Sequence, residues 1–274
     1  MTYQLIALDI DGTLIDDNRA IRASTITALQ EAKKRGIAIM LVTGRHHSTT
    51  YPYWHELKLS LPAICCNGAY AYDFERKIPA IDNNPIQKAE AKILAEIVKK
   101  HQIFTMIYAD EAIYYENNNP PTTGISDWMR ALPEEVRPAL IGMNTFNAAI
   151  ASTNSIWKLN SNDPKTTALQ SAAKEIENAL PMKCLWAGEN CFDIGRTENS
   201  KGAYLARFLQ TQNIDPKNVI AFGDEQNDLE MLKMVGCGVA MGNAIPALKE
   251  VADFVTAKNS EDGIAEALTH FGVI

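Results

Sequence analysis

Apolar residues fall into two kinds of run along this chain. YQLIALDI (3–10) is almost continuously apolar, as a strand buried on both faces is. Ile26, Leu29 and Ala32 then recur at helical spacing between Ser24, an N-cap, and Gly36, a stop at C′. IAIMLV (37–42) and PAICC (62–66) read as two more buried strands. Asn67-Gly68 turns the second of them into a hairpin with AYAYDF and KIPAI. Continuous apolar strands separated by an amphipathic helix predict a parallel sheet with crossover helices.

After DNNP (82–85) the pattern changes. Residues 86–103 predict a helix with Ile93, Leu94, Ile97 and Val98 on one face. FTMIYA and AIYYE predict antiparallel strands, and NNNPPTTG (117–124) a loop. SIWKL is a strand, 164–180 a helix, and MKCLWA and CFDIG two further strands. The parallel pattern then resumes with SKGAYLARFLQTQ as helix, NVIAFGD as strand, EQNDLEMLKMV as helix, GVAM as strand and 261–271 as a last helix. The simplest organisation is one doubly wound α/β domain, residues 1–83 and 191–274, with an α+β domain, 84–190, inserted in its middle.

Composition narrows the partners. The formal net charge is −7, which argues against nucleic acid or an anionic membrane, since both need a basic face. No stretch approaches the roughly 20 apolar residues of a membrane span. MTYQLIALDIDG has no basic n-region and is not read as a signal peptide. Five cysteines without a C-x-x-C form neither a disulfide framework nor a zinc knuckle, and fit a cytoplasmic, reducing setting.

Four polar groups end up at comparable places. Asp9 and Asp11 follow the first strand, Thr43-Gly44-Arg45 the second, and Gly223-Asp224 the strand NVIAF, with Asn227 and Asp228 just beyond. Lys201 stands in the first turn of the helix after ENS. In an open parallel sheet, sites form at the carboxyl ends of the strands. Carboxylates gathered there repel unless a cation sits among them, and hard oxygen ligands without clustered His or Cys fit Mg²⁺. Thr43, loop amides and Lys201 suit an anion with three oxygens. A cation, an anion cradle and a spare carboxylate together point to phosphoryl transfer onto the carboxylate.

DIDGT, TGR, NSKG and GDEQND resemble, in order and spacing, the four motifs of the haloacid dehalogenase-like phosphatases. The insertion between the second and third resembles the large α/β cap of the Cof-type branch. The runs LVTGRHH, PAICCNGAY and IAFGDEQNDLEML resemble the pyridoxal phosphate phosphatases of that branch. The resemblance spans essentially the whole chain and implies a Rossmann-like core with an inserted cap. It also implies a role for each motif residue. Asp9 is the nucleophile, and Asp11 the acid and then the base. The Asp9 carboxylate, the Asp11 backbone carbonyl and Asp224 hold Mg²⁺. The Ile10 amide, Thr43, Gly44, Lys201 and Asn227 hold phosphate, and Asp228 orients the waters on the metal. The implied substrate is a small phosphorylated metabolite, with pyridoxal 5′-phosphate ahead of sugar phosphates. The cap would close as a lid and set preference, with Tyr108, Tyr114, Tyr115, Trp128, Trp157 and Trp186 as its aromatic resource.

Plainer readings exist. An Asp pair can shape a turn, and Asp224, Asn227 and Asp228 can cap a helix. Arg45, His46 and His47 carry no assigned role, and Cys65 and Cys66 read as small core residues. A receiver-type signalling module also uses clustered acids, Thr and Lys on a doubly wound sheet, but it lacks a second acid at +2 and an insertion of this size.

Overall fold

The computed structural model describes the chain except residues 1–2, 80–82, 111, 118–124, 135–136, 138 and 187–188, and the side chains of 125, 126 and 128. The expected loop 117–124 and the side chain of Trp128 therefore lie almost wholly or wholly outside the described residues.

The chain divides into two compact units, Met1–Ile81 with Ser200–Ile274, and Asp82–Asn199. In the first unit, β1 (Leu5–Leu8) is an inner strand of a parallel sheet, paired on both sides. Its neighbours are β2 (Ala38–Leu41) and β12 (Val219–Gly223), followed outward by β13 (Cys237–Ala240) and β14 (Phe254–Val255). Every residue of β1, β12 and β13 is buried, which accounts for their unbroken apolar sequence. Helices α1 (Ala23–Lys34), α7 (Lys201–Thr211), α8 (Leu229–Met234), α9 (Pro246–Val251) and α10 (Gly263–His270) belong to this unit. β3 (Ala63–Cys65), β4 (Tyr70–Asp73) and β5 (Ile78–Pro79) form the expected antiparallel meander, and Ile64 bridges to Val42 beside the main sheet.

The second unit folds around the sheet β10-β11-β9-β6-β7-β8. Its strands are β6 (Phe104–Ala109), β7 (Ile113–Glu116), β8 (Leu140–Met143), β9 (Ile156–Asn162), β10 (Met182–Trp186) and β11 (Cys191–Arg196). α3 (Lys88–Lys100), α5 (Phe146–Ser152) and α6 (Thr166–Ala179) bury Leu94, Ile150 and Ile176 with Ile107, Leu159 and Ile194 of the sheet in one apolar cluster. Tyr114 belongs to that cluster, so it is core. Tyr108 and Tyr115 pack in a separate cluster with Met106 and Met129. Trp157 is buried and Trp186 is exposed.

Several expectations shift. The insertion ends at Asn199 rather than 190, because β11 pairs along β9 and β10 and cannot leave their sheet. Ser24 does not cap α1; Arg22 is the N-cap, and the Ser24 hydroxyl donates to Asp262. The helix expected over 225–235 is a 3₁₀ turn, Gln226–Asp228, followed by α8. α2 (His47–Glu56) has no expected counterpart: Pro52 interrupts its sequence, and its buried positions include Thr49 and Thr50 rather than an apolar stripe.

Candidate active site

Parallel pairing of β1 with β12 sets Leu8 beside Phe222, so Asp9 and Asp224 leave adjacent strands close together. The Asp9 amide continues the ladder by donating to the Phe222 carbonyl (3.1 Å). Gly12 then turns with φ +71°, and a Cβ there would meet the Asp224 carboxylate at 2.1 Å. Only glycine combines that conformation with that approach. Thr13 Oγ1 donates to Asp224 Oδ1 (2.8 Å) and fixes this carboxylate.

Lys201 enters from α7, whose N-cap Ser200 accepts from the Ala203 amide. Its ammonium is buried and lies 2.7 Å from both Asp9 Oδ1 and Asp228 Oδ1. The other oxygen of Asp228 accepts from the Asp224 amide (3.0 Å) and the Glu225 amide (3.1 Å). Asp228 therefore brackets Lys201 and the Asp224 loop. Asp9, Asp224 and Asp228 each offer an oxygen within 4.8 Å of the others'. Burial pushes the Asp9 carboxyl well above its usual range; Lys201 opposes this, and Asp228 and Asp224 add to it. Burial likewise raises Asp224, to about 7, against its bond from Thr13. Burial alone would lower Lys201, but Asp228 and Asp9 raise it, so it stays charged.

Three buried carboxylates thus share one ammonium. A divalent cation fits this donor set, which is oxygen only and under-compensated in charge. Asp9 and Asp224 are the carboxylates with capacity for it.

Thr43 is fully buried after β2; its amide donates to the Ile64 carbonyl (2.8 Å) and its hydroxyl accepts from the Arg45 amide (3.1 Å). Gly44 stands against the Asn67 carboxamide. Asn227 Nδ2 donates to Asn67 Oδ1 (2.9 Å). The Ile10 side chain is buried in the core, and the Ile10 carbonyl accepts from the amides that follow it.

Asp11 stands apart from the carboxylate cluster. Arg45 grips both its oxygens, Nε to Oδ2 (2.7 Å) and Nη2 to Oδ1 (2.6 Å), while the Asp11 side chain remains 62% exposed. Although partial burial pushes Asp11 up, the Arg45 fork holds it below the usual carboxylate range. Arg45 received no role from the sequence. Its own setting, with Nη1 on the Thr49 carbonyl and the guanidinium over Tyr53, became visible only with α2 in place.

The family model for haloacid dehalogenase-like hydrolases matches residues 6–268. The chain belongs to this family. It is 37% identical over 266 residues to a pyridoxal phosphate phosphatase of Escherichia coli (strain K12), covering 97% of each chain. It is 28% identical over 279 residues to a 5-amino-6-(5-phospho-D-ribitylamino)uracil phosphatase of Bacillus subtilis (strain 168), again covering 97% of each. The crystal structure of a haloacid dehalogenase-like hydrolase from Bacteroides thetaiotaomicron superposes with a TM-score of 0.85 at 25% identity, covering 98% of this chain and 100% of that one. With its family shown and such phosphatases matching its whole length, the chain is a phosphoric monoester hydrolase. Among the described residues no helix is long and apolar enough to cross a membrane.

The Lys201 arrangement predicts a pH-dependent stability defect. Asp9 is raised in the folded state, so its contribution to stability is full at acid pH and is lost as pH rises toward its folded value. Lys201→Met removes the cation that opposes this rise. Urea unfolding in EDTA is expected to show a loss of about 3–5 kcal/mol at pH 8 and a smaller one at pH 5. An equal loss at both would contradict the charge role of Lys201.

Proposed function

We propose that this hydrolase cleaves small phosphomonoesters through an aspartyl-phosphate on Asp9, with pyridoxal 5′-phosphate as its leading substrate. The observation that carries the chemistry is Asp9 itself: a buried carboxylate at the carboxyl end of β1, an inner strand of the sheet, tied to Lys201 and adjacent to Asp224. The likeness to the Escherichia coli pyridoxal phosphate phosphatase supports the substrate.

The Asp9 oxygen attacks phosphorus while the bond to the leaving oxygen breaks. Asp11 gives that oxygen a proton and later takes one from the water that attacks the aspartyl-phosphate, releasing inorganic phosphate and restoring Asp9. Thr43, Gly44, Lys201, Asn227 and the Ile10 amide receive the phosphoryl oxygens. Asp9, Asp224 and the Asp11 backbone carbonyl are the groups that would hold Mg²⁺, with Asp228 orienting its waters. When bound, Mg²⁺ supplies positive charge that offsets the carboxylates and the phosphoryl oxygens. The Arg45 fork keeps Asp11 in its ionised, base-competent form, so donating a proton requires Asp11 to loosen from Arg45.

These groups serve every phosphomonoester alike, so substrate preference is assigned to the inserted unit. There Lys158 pairs with Asp193 (2.6 Å) and lies over the Tyr108 ring, with Asn160 donating to Asp193 (2.9 Å). Lys158, Asp193 and Tyr108 are thus packed against one another within the inserted unit.

Asp11→Asn is expected to slow turnover by roughly 10²–10⁴-fold with alkyl phosphates. The loss should be smaller in the phosphorylation step of p-nitrophenyl phosphate, whose leaving group needs little protonation. Equal losses in single-turnover measurements would remove Asp11 from the acid role.

Mg²⁺ binding should release protons, because Asp224, raised to about 7, and Asp9, also raised by burial, must ionise to bind it. Calorimetry in buffers of different ionisation enthalpy is expected to show release at pH 6.5 that declines by pH 8, with affinity tightening over the same interval. No buffer dependence would separate Asp224 from the metal.

The substrate reading is tested by kcat/KM for pyridoxal phosphate, glucose 6-phosphate, fructose 1-phosphate and erythrose 4-phosphate side by side. A broad profile with pyridoxal phosphate among the best is expected. A ranking with pyridoxal phosphate well below every sugar phosphate would replace it with a sugar phosphate phosphatase.

A further inference from the structure

Asn67-Gly68 reads in sequence as an ordinary hairpin tip, and β3 does pair with β4 across it. Hairpin tips are normally solvent-exposed, yet Asn67 is only 6% exposed. Three successive residues, Cys66, Asn67 and Gly68, have φ of +48°, +56° and +83°. Consecutive left-handed residues that include a cysteine are strained, and such strain persists where the surrounding structure fixes it.

Contacts that fix it reach several loops of the active site. The Cys66 amide donates to the Arg45 carbonyl (2.9 Å) and the Asn67 amide to the Thr43 carbonyl (3.1 Å). Gly68 lies so close to the chain at Ser200 that a Cβ would come 2.1 Å from the Ser200 carbonyl oxygen, one residue before Lys201. The Asn67 side chain rests against Gly44 and accepts from Asn227 Nδ2 (2.9 Å). One short turn therefore touches the three loops that carry Thr43, Lys201 and Asn227.

The bond to Asn227 has a chemical consequence. A carboxamide can present either its NH₂ or its oxygen to a ligand, and only the NH₂ is favourable toward a phosphoryl oxygen. Asn67 Oδ1 can accept only from Nδ2, so it selects one of the two orientations and leaves the second N–H of Asn227 available. Asn227 Oδ1 is buried and has no hydrogen-bond partner, so nothing among the described residues holds the carboxamide from its other side.

We propose that Asn67 is a positioning residue of the phosphate site, orienting the Asn227 carboxamide toward the phosphoryl group without touching substrate itself. This rests on the reading of Asn227 as a phosphate donor. Its effect belongs to the phosphate and not to the leaving group, so it should be the same for every phosphomonoester.

Asn67→Gly removes the carboxamide and keeps the ease of a positive φ. It is compared with Asn227→Ala and with the double variant, using kcat/KM for p-nitrophenyl phosphate and pyridoxal phosphate and the competitive Ki of inorganic phosphate. Expected are a roughly tenfold fall in kcat/KM for both esters and a matching rise in Ki. The double variant should be no worse than Asn227→Ala alone. Multiplying losses in the double variant, or an unchanged Ki, would overturn the proposal and leave Asn67 a folding residue. If Asn227→Ala has no effect, the phosphate role of Asn227 falls and the proposal with it. Wild-type protein inactive on both esters would instead sink the phosphatase reading. Should the glycine variant not fold, Asn67→Ser, too short to keep the contact, is read through the same cycle.

Discussion

A buried ammonium between two buried carboxylates is the constraint on which this site depends. Lys201 lies 2.7 Å from Asp9 and from Asp228, and all three are almost wholly removed from water. Ions so placed are costly unless each has partners for its remaining hydrogen-bonding capacity. Asp228 meets that condition with two backbone amides, and Lys201 with two carboxylates. Asp9 is held on one oxygen by Lys201, which suits the nucleophile role proposed for it. Asp224, held by Thr13, adds a further buried carboxylate to the donor set that a divalent cation would fit.

Backbone chemistry lets these charges approach one another. Adjacent parallel strands bring Asp9 and Asp224 to the same sheet edge, but contact at side-chain range needs room between them. Gly12 supplies it on one side of Asp224. Gly223 supplies it on the other, where a Cβ would lie 2.5 Å from the Asp228 side chain. Both glycines stand inside the motifs DIDGT and GDEQND, so the motifs specify the space around the carboxylates as well as the carboxylates themselves.

The legible and illegible parts of the sequence separate along physical lines. Buried parallel strands announced themselves because both faces are apolar. The polar residues at their ends stood out against that background and made Asp9, Thr43 and Asp224 candidates, while Lys201 became one through its place at the start of a helix after ENS. Arg45 could not be given a role, since an Arg after a strand looks the same whether it meets solvent or a carboxylate. Its partner was decided by where Asp11 turns and where α2 lays Thr49 and Tyr53. Asn67 was hidden for the opposite reason: Asn-Gly has a sufficient local explanation as a turn, and burial of that turn is a tertiary fact. A bound at 190 cuts off Cys191–Arg196, a strand whose sequence already groups with the inserted strands, and its pairing with β9 and β10 keeps it among them.

The Arg45–Asp11 pair exposes a tension within the proposed cycle. One carboxyl is asked to give a proton in the first half and to take one in the second, while a guanidinium fork favours only the ionised form. Placing the pair outside the carboxylate cluster eases this. Asp11 is more than half exposed at its side chain, so solvent competes for its oxygens and the fork is weaker than a buried one. Asp9 and Lys201 have no such freedom. In the proposed cycle, division of labour follows burial: the dry part of the site would fix phosphorus and its nucleophile, and the exposed part would carry the group whose protonation must change.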